Sequence, residues 1–559
     1  MQKTVFIVLT ILLLSLPTVG EQIDQFGFYE ASFQSAGQYD NPFTDLAPQA
    51  TIARADGLTW KIPLFWDGNS TWKLRIRPDA PGEWSFTVQS KDVGLAGQTG
   101  SFTCVESDRR GSIQQMKSYG HHFATQDGSP FLFWGDTAWG LFLSQEEEQL
   151  NRQSVFHYID KRASEGINVI HAMLLSEAGW GNEGGNPFFD LSQMNINPAY
   201  WQEVDARLEY LNKKGLIGGL VLAWGDKQKR EPWAWRMFPG VEARKHYAGY
   251  IAARYGAYDV YFILAGEWNA EVNTRDNATR EAVKAEFFEI GDAFEEADAH
   301  DRMIGIHPMT RDGSVREFNA ADWMSFGDYQ QNYPFVHERL LQSRSFNKPI
   351  VNSEYGYFLR DASGDGTVDK HNSFTPDDMR FVTWDIILAG AYPITGYGTT
   401  YMGGYRDPGP FNPDDPRNDA WSQQYRFAKE FLAGQEWWKL QPMDELISST
   451  QPRSKERDVE VRMSPARTRQ VRRPALTTYW LLADPGLTYV LYARGVTKKI
   501  ALSVHSDDEG LYAAHVVNPR TGEIKVKGEF SVSDTFKWIP PDNQDWVLLL
   551  TSLNSRDVR

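Results

Sequence analysis

Residues 261–269 read Tyr-Phe-Ile-Leu-Ala-Gly-Glu-Trp-Asn, and this stretch decides the fold. Its first five residues are apolar without interruption, which is typical of a strand buried on both faces of a parallel sheet. A glycine ends the run, and a carboxylate, an indole and an amide follow it at once. Lys348–Tyr357 has the same form and places Glu354 just after a second apolar strand. Two such carboxylates are what glycosidic bond hydrolysis requires, one as acid/base and one as nucleophile.

The region around these two stretches, residues 117–440, alternates strand and helix patterns. This alternation predicts parallel βα units, and eight strands over this length predict a (β/α)8 barrel. A doubly wound sheet is the competing architecture, but no Gly-rich phosphate loop follows the first predicted strand. The predicted strands are Phe131–Trp134, Ile167–Leu174, Leu216–Ala223, Tyr261–Leu264, Met303–Ile306, Trp323–Phe326, Pro349–Asn352 and Ile394–Tyr397.

The regions on either side of the barrel are predicted to be all-β. Residues 21–107 and 450–559 both contain short runs that alternate apolar and polar residues with period two, separated by turn residues. We therefore expect an N-terminal and a C-terminal β-sandwich. The connector 451–476 is rich in Arg, Lys, Ser, Thr and Pro and is predicted to be a loop.

Residues 1–20 have the pattern of a secretory signal, with Lys3 before an apolar centre and small residues at the end. We expect the protein to be exported, to the periplasm or outside a bacterial cell. Its single cysteine, Cys104, excludes an intrachain disulfide and is predicted to be a buried strand residue. No later apolar run reaches the length of a membrane span, so membrane insertion is not expected.

The composition excludes some partners and favours another. A net charge of −16 argues against nucleic acid as a partner. The chain contains 20 Trp and is 14% aromatic, and indole and phenol rings stack on the apolar faces of sugar rings. We expect a polysaccharide or oligosaccharide substrate, although a Trp-rich core is an equally good explanation of the composition alone. The oligomeric state is not predicted.

Three motifs give the chain a resemblance to a known family. They are Phe133–Trp139 (Phe-Trp-Gly-Asp-Thr-Ala-Trp), Ala265–Asn269 and Asn352–Gly356. The chain resembles the apiosidase-like (β/α)8-barrel glycoside hydrolases, in which a β-sandwich precedes the barrel and another follows it. The positions of the two Glu residues also resemble those of the retaining clan A glycosidases. The resemblance implies a hydrolase that cleaves O-glycosidic bonds, here of a plant or algal polysaccharide.

The resemblance also implies the role of each carboxylate. Glu267 follows predicted strand four and takes the acid/base position, while Glu354 follows strand seven and takes the nucleophile position. A retaining mechanism is expected, with carboxyl groups about 5–5.5 Å apart, and inversion, which needs about 6.5–9.5 Å, stays open as the alternative. The two strand ends lie across the barrel mouth from each other. This chain departs from many clan A enzymes in one respect, because Gly266 stands where they have Asn before the acid/base.

Further residues near the predicted strand ends are candidates for substrate binding. Asp136 should point into the cleft, and two histidines occupy strand positions that also suit it. Aromatic residues are candidates for sugar stacking, and each candidate has a structural alternative as a core residue or helix cap. The predicted substrate-binding residues are Asp136, Trp139, His171, Trp180, Trp224, Asn269, His307 and Tyr329.

No cofactor is predicted. Residues 361–372 match several positions of a calcium loop, with Gly366 at position six, but Asn372 replaces the bidentate Glu at position twelve. A structural calcium ion is therefore one interpretation and a solvated loop is the favoured one. Two other function classes remain as alternatives: a carbohydrate-binding or adhesion protein on a barrel that has lost catalysis, and a polysaccharide lyase.

Overall fold

The structure is a computed structural model. It describes residues 21–553 apart from 147–148, 177–178, 226–231, 271–276, 310–312, 331–334, 356, 359–372, 396–412, 415, 417–418, 465, 505–509 and 533.

The N-terminal region is a pair of β-sheets, as the sequence predicts. Trp72, Trp84, Phe86 and Phe102 are buried in its core, and Cys104 is a buried strand residue there. A short helix spans Pro42–Asp45. The five-stranded sheet has the order Glu21–Asp24, Thr99–Val105, Gly82–Gln89, Gln49–Arg54 and Thr59–Pro63; the three-stranded sheet has the order Tyr29–Gln34, Thr71–Ile76 and Phe65–Gly68.

Eight parallel strands form the central barrel, which confirms the predicted fold class. The strands are β1 (Gly135–Thr137), β2 (Val169–Met173), β3 (Ile217–Trp224), β4 (Val260–Gly266), β5 (Ile304–Gly305), β6 (Gly327–Tyr329), β7 (Ile350–Asn352) and β8 (Tyr392–Thr395). Their order in the sheet is β5-β4-β3-β2-β1-β8-β7-β6. A parallel bridge between Ile304 and Met324 joins the two ends of the sheet. All seven residues of β4 are buried, as its uninterrupted apolar sequence requires.

A helix follows each barrel strand. Helix α1 begins with a reciprocal cap between Asn151 and Ser154, and α7 begins with the same arrangement between Thr375 and Asp378. The helices are α1 (Arg152–Ser164), α2 (Pro198–Lys213), α3 (Val241–Tyr255), α4 (Asn277–Ala297), α5 (Ser314–Phe318), α6 (Val336–Ser343), α7 (Pro376–Leu388) and α8 (Asp419–Ala433).

The short elements in the barrel region are two strand pairs and several single 3-10 turns. The strand pairs are Phe188–Asp190 with Asn195–Ile196 and Tyr357–Phe358 with Ser373–Phe374; the 3-10 turns are Leu191–Gln193, Trp235–Met237, Arg344–Phe346 and Trp437–Lys439.

Two barrel strands begin later than the sequence predicts. Strand β1 begins at Gly135, whereas the prediction ended at Trp134. Strand β6 begins at Gly327, whereas the prediction ended at Phe326. The predicted apolar residues lie below the barrel instead, where Phe123 packs against Phe133, Phe326 and Tyr392. Phe123 belongs to a small three-stranded sheet of Ile113–Gln115, Phe123–Thr125 and Pro130–Phe131.

The C-terminal region is again all-β. The predicted loop in the connector 451–476 is wrong in part, because Arg457–Ser464 and Arg467–Arg473 form an antiparallel hairpin. A 3-10 turn spans Asp444–Leu446. The larger sheet has the order Gln441–Pro442, Thr478–Asp484, Thr488–Arg494, Asp545–Ser552, Gly510–Val517 and Ile524–Val532; the smaller sheet has the order Ile447–Ser449, Ile500–Ser503 and Thr535–Trp538.

Buried ion pairs join the N-terminal sheets to the barrel. Arg75 of the sandwich lies 2.7 Å from Asp205 of α2, and Arg254 of α3 lies 2.8 Å from Asp67 of the sandwich. Arg254 also lies 2.7 Å from Asp205. Burial alone would raise the pKa of Asp205, but Arg254 and Arg75 outweigh it and lower that pKa to about 2. One carboxylate therefore compensates two buried guanidinium groups.

The C-terminal sheets are joined to helix α7 in the same manner. Arg380 of α7 lies 2.6 Å from Asp545, and Asp385 of α7 lies 2.9 Å from Arg494. Trp384 stacks on Tyr492 with ring centroids 5.4 Å apart. Helix α7 is the helix that follows β7, and Thr383 of this helix is hydrogen-bonded to Tyr355, the neighbour of Glu354, at 2.8 Å.

We predict that Asp205→Ala lowers the free energy of unfolding by about 2–3 kcal/mol, because it removes the charged hydrogen bonds of two buried cations, which keep Glu30 and Asp67 as carboxylate partners. The folded-state pKa of Asp205 is depressed, so its contribution is present above about pH 4 and is lost as the pH falls through 2. Guanidinium unfolding at pH 7 and pH 3 measures both effects. Glu209→Ala, an exposed site on the same helix, is the control. Equal stability of the two variants at pH 7 would contradict this account.

Candidate active site

The barrel brings the two predicted carboxylates to a single amide. Glu267 follows β4 and Glu354 follows β7, and both are buried, with exposed fractions of 5% and 7%. Nε2 of Gln330, just past β6, donates to Oε1 of Glu267 at 2.9 Å and to Oε2 of Glu354 at 2.5 Å. These two carboxylate oxygens therefore lie no more than about 5.4 Å apart, the sum of the two distances.

Glu267 has a backbone conformation that non-glycine residues rarely adopt. Its φ is +47°, in the left-handed region. Hydrogen bonds on both sides hold the turn: Gly225 N donates to Gly266 O at 2.7 Å, and Trp268 N donates to His307 O at 3.1 Å. Such conformations cluster at functional sites, where the surrounding structure over-determines them. The turn directs the carboxylate toward Gln330 rather than along the strand.

Gly266 is explained by the indole ring of Trp224. A Cβ atom added at Gly266 would lie 2.1 Å from Cε3 of Trp224, well inside van der Waals contact. Trp224 is itself buried at the end of β3, where it meets the ring of Trp139 edge to face at 5.0 Å. Any side chain at position 266, including the Asn of many clan A enzymes, would displace this ring. The glycine is thus a packing requirement of this site.

His307 connects Glu354 to a second buried carboxylate. Its Nε2 lies 3.4 Å from Oε2 of Glu354, and its Nδ1 lies 3.1 Å from Oδ2 of Asp328 and 2.9 Å from Oγ of Ser353. Burial alone would disfavour the charged ring, but Asp328 and Glu354 outweigh it and raise the pKa of His307 to about 10. His307 is therefore a cation at neutral pH.

Aromatic and imidazole rings surround His307. Trp139 lies 6.0 Å from it and 5.1 Å from His171, and Trp224 lies 6.1 Å from it, measured between ring centroids. Burial lowers the pKa of His171 to about 4, so this ring is neutral at neutral pH. Both of its ring nitrogens are buried and have no hydrogen-bond partner among the described residues. Trp139, His171, Trp224 and His307 thus form one cluster beside the carboxylates.

Asn269 and Trp180, which are also predicted to bind substrate, lie outside the cluster of rings around His307. Asn269 is fully buried, and its Oδ1 accepts a hydrogen bond from Met309 N at 2.6 Å, so it fixes the segment after β5 to the segment after β4. Trp180, in the segment after β2, is half-buried against the barrel core. A role of either residue in substrate binding stays a prediction.

Asp136 and Tyr329 do not point into the cleft, which corrects both expectations. Asp136 is fully buried, and its carboxylate accepts hydrogen bonds from Tyr158 at 3.0 Å, Arg162 at 2.6 Å and Thr395 at 2.6 Å. Two of these partners belong to α1, so Asp136 faces the helix layer. The hydroxyl of Tyr329 is hydrogen-bonded to Ser343 of α6, also in that layer. Strand β6 alternates, so Tyr329 faces outward while its neighbours face inward.

Sequence reasoning missed Asp328 and Gln330, the inward-facing neighbours of Tyr329. They flank an aromatic residue in the order Asp-Tyr-Gln, which is the period-two alternation of a strand. That signal was available in the sequence. A predicted strand that ends at Phe326 leaves these residues in a loop and hides their alternation.

The described residues contain no group of three or more His, Cys, Asp or Glu side chains placed to hold a metal ion. The candidate calcium loop, 361–372, lies outside the described residues, and its interpretation stays a prediction. In the described part of the chain, no helix has the length and apolar character needed to cross a membrane.

A (β/α)8 barrel with paired carboxylates after strands four and seven defines the class of the protein as a glycosidase. A family profile described as "Apiosidase-like, catalytic domain" matches residues 117–439, and a "Domain of unknown function (DUF5060)" matches residues 22–91. The chain therefore belongs to the apiosidase-like family.

Comparisons with solved structures agree on the fold. A protein from Bacteroides vulgatus, provisionally described as a glycoside hydrolase, matches with a TM-score of 0.71 and 16% identity, covering 95% of this chain and 100% of that one. A glycoside hydrolase family 5 protein from Bacteroides vulgatus matches with a TM-score of 0.60 and 17% identity, covering 80% of this chain and 95% of that one. No curated protein matches the chain significantly.

We predict that Gly266→Ala lowers kcat/KM by about 10- to 100-fold, because the added methyl group displaces Trp224 or shifts the backbone of Glu267. Steady-state hydrolysis of the best substrate measures the effect. Gly249→Ala is the matched control, since its added Cβ would meet Ala297 at an ordinary 3.6 Å. Full activity of Gly266→Ala would show that the glycine is not a packing requirement.

Proposed function

We propose that the protein hydrolyses O-glycosidic bonds in a plant or algal polysaccharide, or in its oligosaccharides, with retention of anomeric configuration. Glu267 is the general acid/base and Glu354 is the nucleophile. The observation that carries the proposal is the single amide nitrogen of Gln330 within hydrogen-bonding distance of both carboxylates.

The separation of the carboxylates supports retention over inversion. Retaining glycosidases hold their two carboxyl groups about 5–5.5 Å apart, while inverting enzymes leave about 6.5–9.5 Å for a water molecule. The upper limit of about 5.4 Å between Glu267 Oε1 and Glu354 Oε2 lies below the separation of inverting enzymes. A water molecule and a sugar carbon do not fit in line within that distance.

The surroundings of each carboxylate support the division of roles. The imidazolium of His307 stands 3.4 Å from Glu354, and a positive charge favours the anionic carboxylate that a nucleophile needs. Glu267 lies opposite and would give its proton to the leaving oxygen while Glu354 Oε bonds to the anomeric carbon. Water then attacks that carbon, Glu267 takes the proton from the water, and the bond to Glu354 breaks.

The nature of the substrate and the location of the protein rest on two separate observations. The ring cluster of Trp139, His171, Trp224 and His307 borders the carboxylates, as is common where a sugar ring is bound. Export to the periplasm or the medium rests on the signal-like sequence of residues 1–20 and would bring the protein to polymeric substrates.

We predict that Glu354→Gln and Glu267→Gln each lower kcat by about a thousand-fold on a polysaccharide that the wild type cleaves. A panel of plant and algal polysaccharides, assayed for new reducing ends, measures this. Glu338→Gln, an exposed site on α6, is the control and should keep full activity.

The same panel separates the alternatives. With azide, Glu354→Ala should give a glycosyl azide of inverted configuration, and Glu267→Ala one of retained configuration, if the roles are as proposed.

Unsaturated products that absorb in the ultraviolet would mean a lyase. Binding that Glu354→Gln leaves unchanged, with no cleavage by the wild type, would mean a carbohydrate-binding protein.

A further inference from the structure

Asp328 is a fully buried carboxylate that the two-carboxylate mechanism does not use. It lies in the middle of β6, its backbone N–H donates to Oγ of Ser314 at 2.8 Å, and its Oδ2 lies 3.1 Å from Nδ1 of His307. A buried carboxylate is costly unless a cation or hydrogen bonds compensate it. Its presence beside His307 therefore requires an explanation.

The two ring nitrogens of His307 face carboxylates on opposite sides. Nδ1 faces Asp328, and Nε2 faces Glu354 at 3.4 Å. A neutral imidazole carries one N–H, so one of the two carboxylates would then meet a nitrogen lone pair. The doubly protonated ring presents an N–H on each side, at hydrogen-bonding distance from Asp328 and at ion-pair distance from Glu354. Ser353 Oγ, 2.9 Å from Nδ1, is compatible with this state because a hydroxyl can accept.

Titratable side chains from several barrel strands surround His307. Asp328 comes from β6, Glu354 from the end of β7 and Glu267 from the end of β4, where the backbone O of His307 accepts from Trp268 N. His171 of β2 lies 6.0 Å away between ring centroids and is neutral. Tyr261 of β4 lies below, where burial and the charge of Asp328 raise its pKa. The carboxylates thus determine the charge of His307.

We propose that Asp328 is a positioning residue that holds His307 as an imidazolium, and that His307 in turn keeps Glu354 ionised and oriented as the nucleophile. The proposal rests on the proposed function for the role of Glu354. Asp328 of β6 and Gln330, just past its end, face the same side, so this segment contacts the nucleophile in two ways: through the imidazolium of His307 and through the amide of Gln330. The raised pKa of His307, about 10, agrees with this arrangement.

The consequence is a specific pH dependence. In the wild type, His307 stays charged up to about pH 10, so its deprotonation does not limit kcat/KM below that pH. Removal of the charge of Asp328 lets burial lower the pKa of His307 toward or below neutrality. A variant that lacks this charge should then lose activity as the pH rises through the new, lower pKa.

The test compares Asp328→Asn with Asp322→Asn, an exposed aspartate on the approach to the same strand. We expect Asp328→Asn to lower kcat/KM at pH 8 by about 100-fold and to show an alkaline limb between about pH 5 and 8. Asp322→Asn should keep the wild-type profile, and Asp328→Glu should recover part of the activity at pH 8. An Asp328→Asn profile parallel to that of the wild type would overturn the proposal.

NMR spectroscopy can measure the protonation state of His307 directly in the wild-type protein, without a substrate. In the ¹⁵N-histidine-labelled wild type, the resonances assigned to His307 should be those of an imidazolium at pH 8. A neutral His307 at pH 8 overturns the proposal. The two claims can fail separately: full activity of Glu354→Gln contradicts the proposed function, whereas the charge of His307 tests the Asp328 contact alone.

Discussion

One nitrogen atom, Nε2 of Gln330, is within hydrogen-bonding distance of two carboxylates that lie 87 positions apart in the sequence. This contact requires the barrel to close, because Glu267, Gln330 and Glu354 follow three different strands. It also involves the left-handed turn at Glu267, and the preceding Gly266 leaves the space that the ring of Trp224 occupies. The geometry of the site is therefore a consequence of strand order, one strained residue and one glycine.

Several charged side chains of this protein are buried, and each of them lies next to side chains of opposite charge. At the N-terminal interface, one carboxylate of Asp205 serves two guanidinium groups, and in the active site one imidazolium of His307 serves two carboxylates. The first arrangement joins the sandwich to the barrel through charges that are buried on both sides of the contact. The second places a fixed positive charge beside the nucleophile without exposing it to water, where solvent would weaken its effect.

The sequence carried enough information for the barrel and for the two catalytic candidates, because the apolar stretches at β4 and β7 coincide with the predicted strands and a Glu follows each within two residues. It did not carry the direction of side chains on the three-residue strands β1 and β6. A strand that short has no stable periodicity, and an error of one residue reverses which side chains face inward. For this reason the sequence does not show that Asp136 and Tyr329 face outward, or that Asp328 and Gln330 face inward.

The most direct test of the central claim, that Glu354 attacks the sugar from across the site, is to trap the covalent intermediate. A 2-deoxy-2-fluoro glycoside with a good leaving group, chosen to match the cleaved sugar, slows turnover so that the glycosyl-enzyme accumulates. Peptide mass spectrometry should then locate one added sugar on Glu354, and none in Glu354→Gln. A label on a different residue, or hydrolysis without a label and with inverted configuration, would contradict the account.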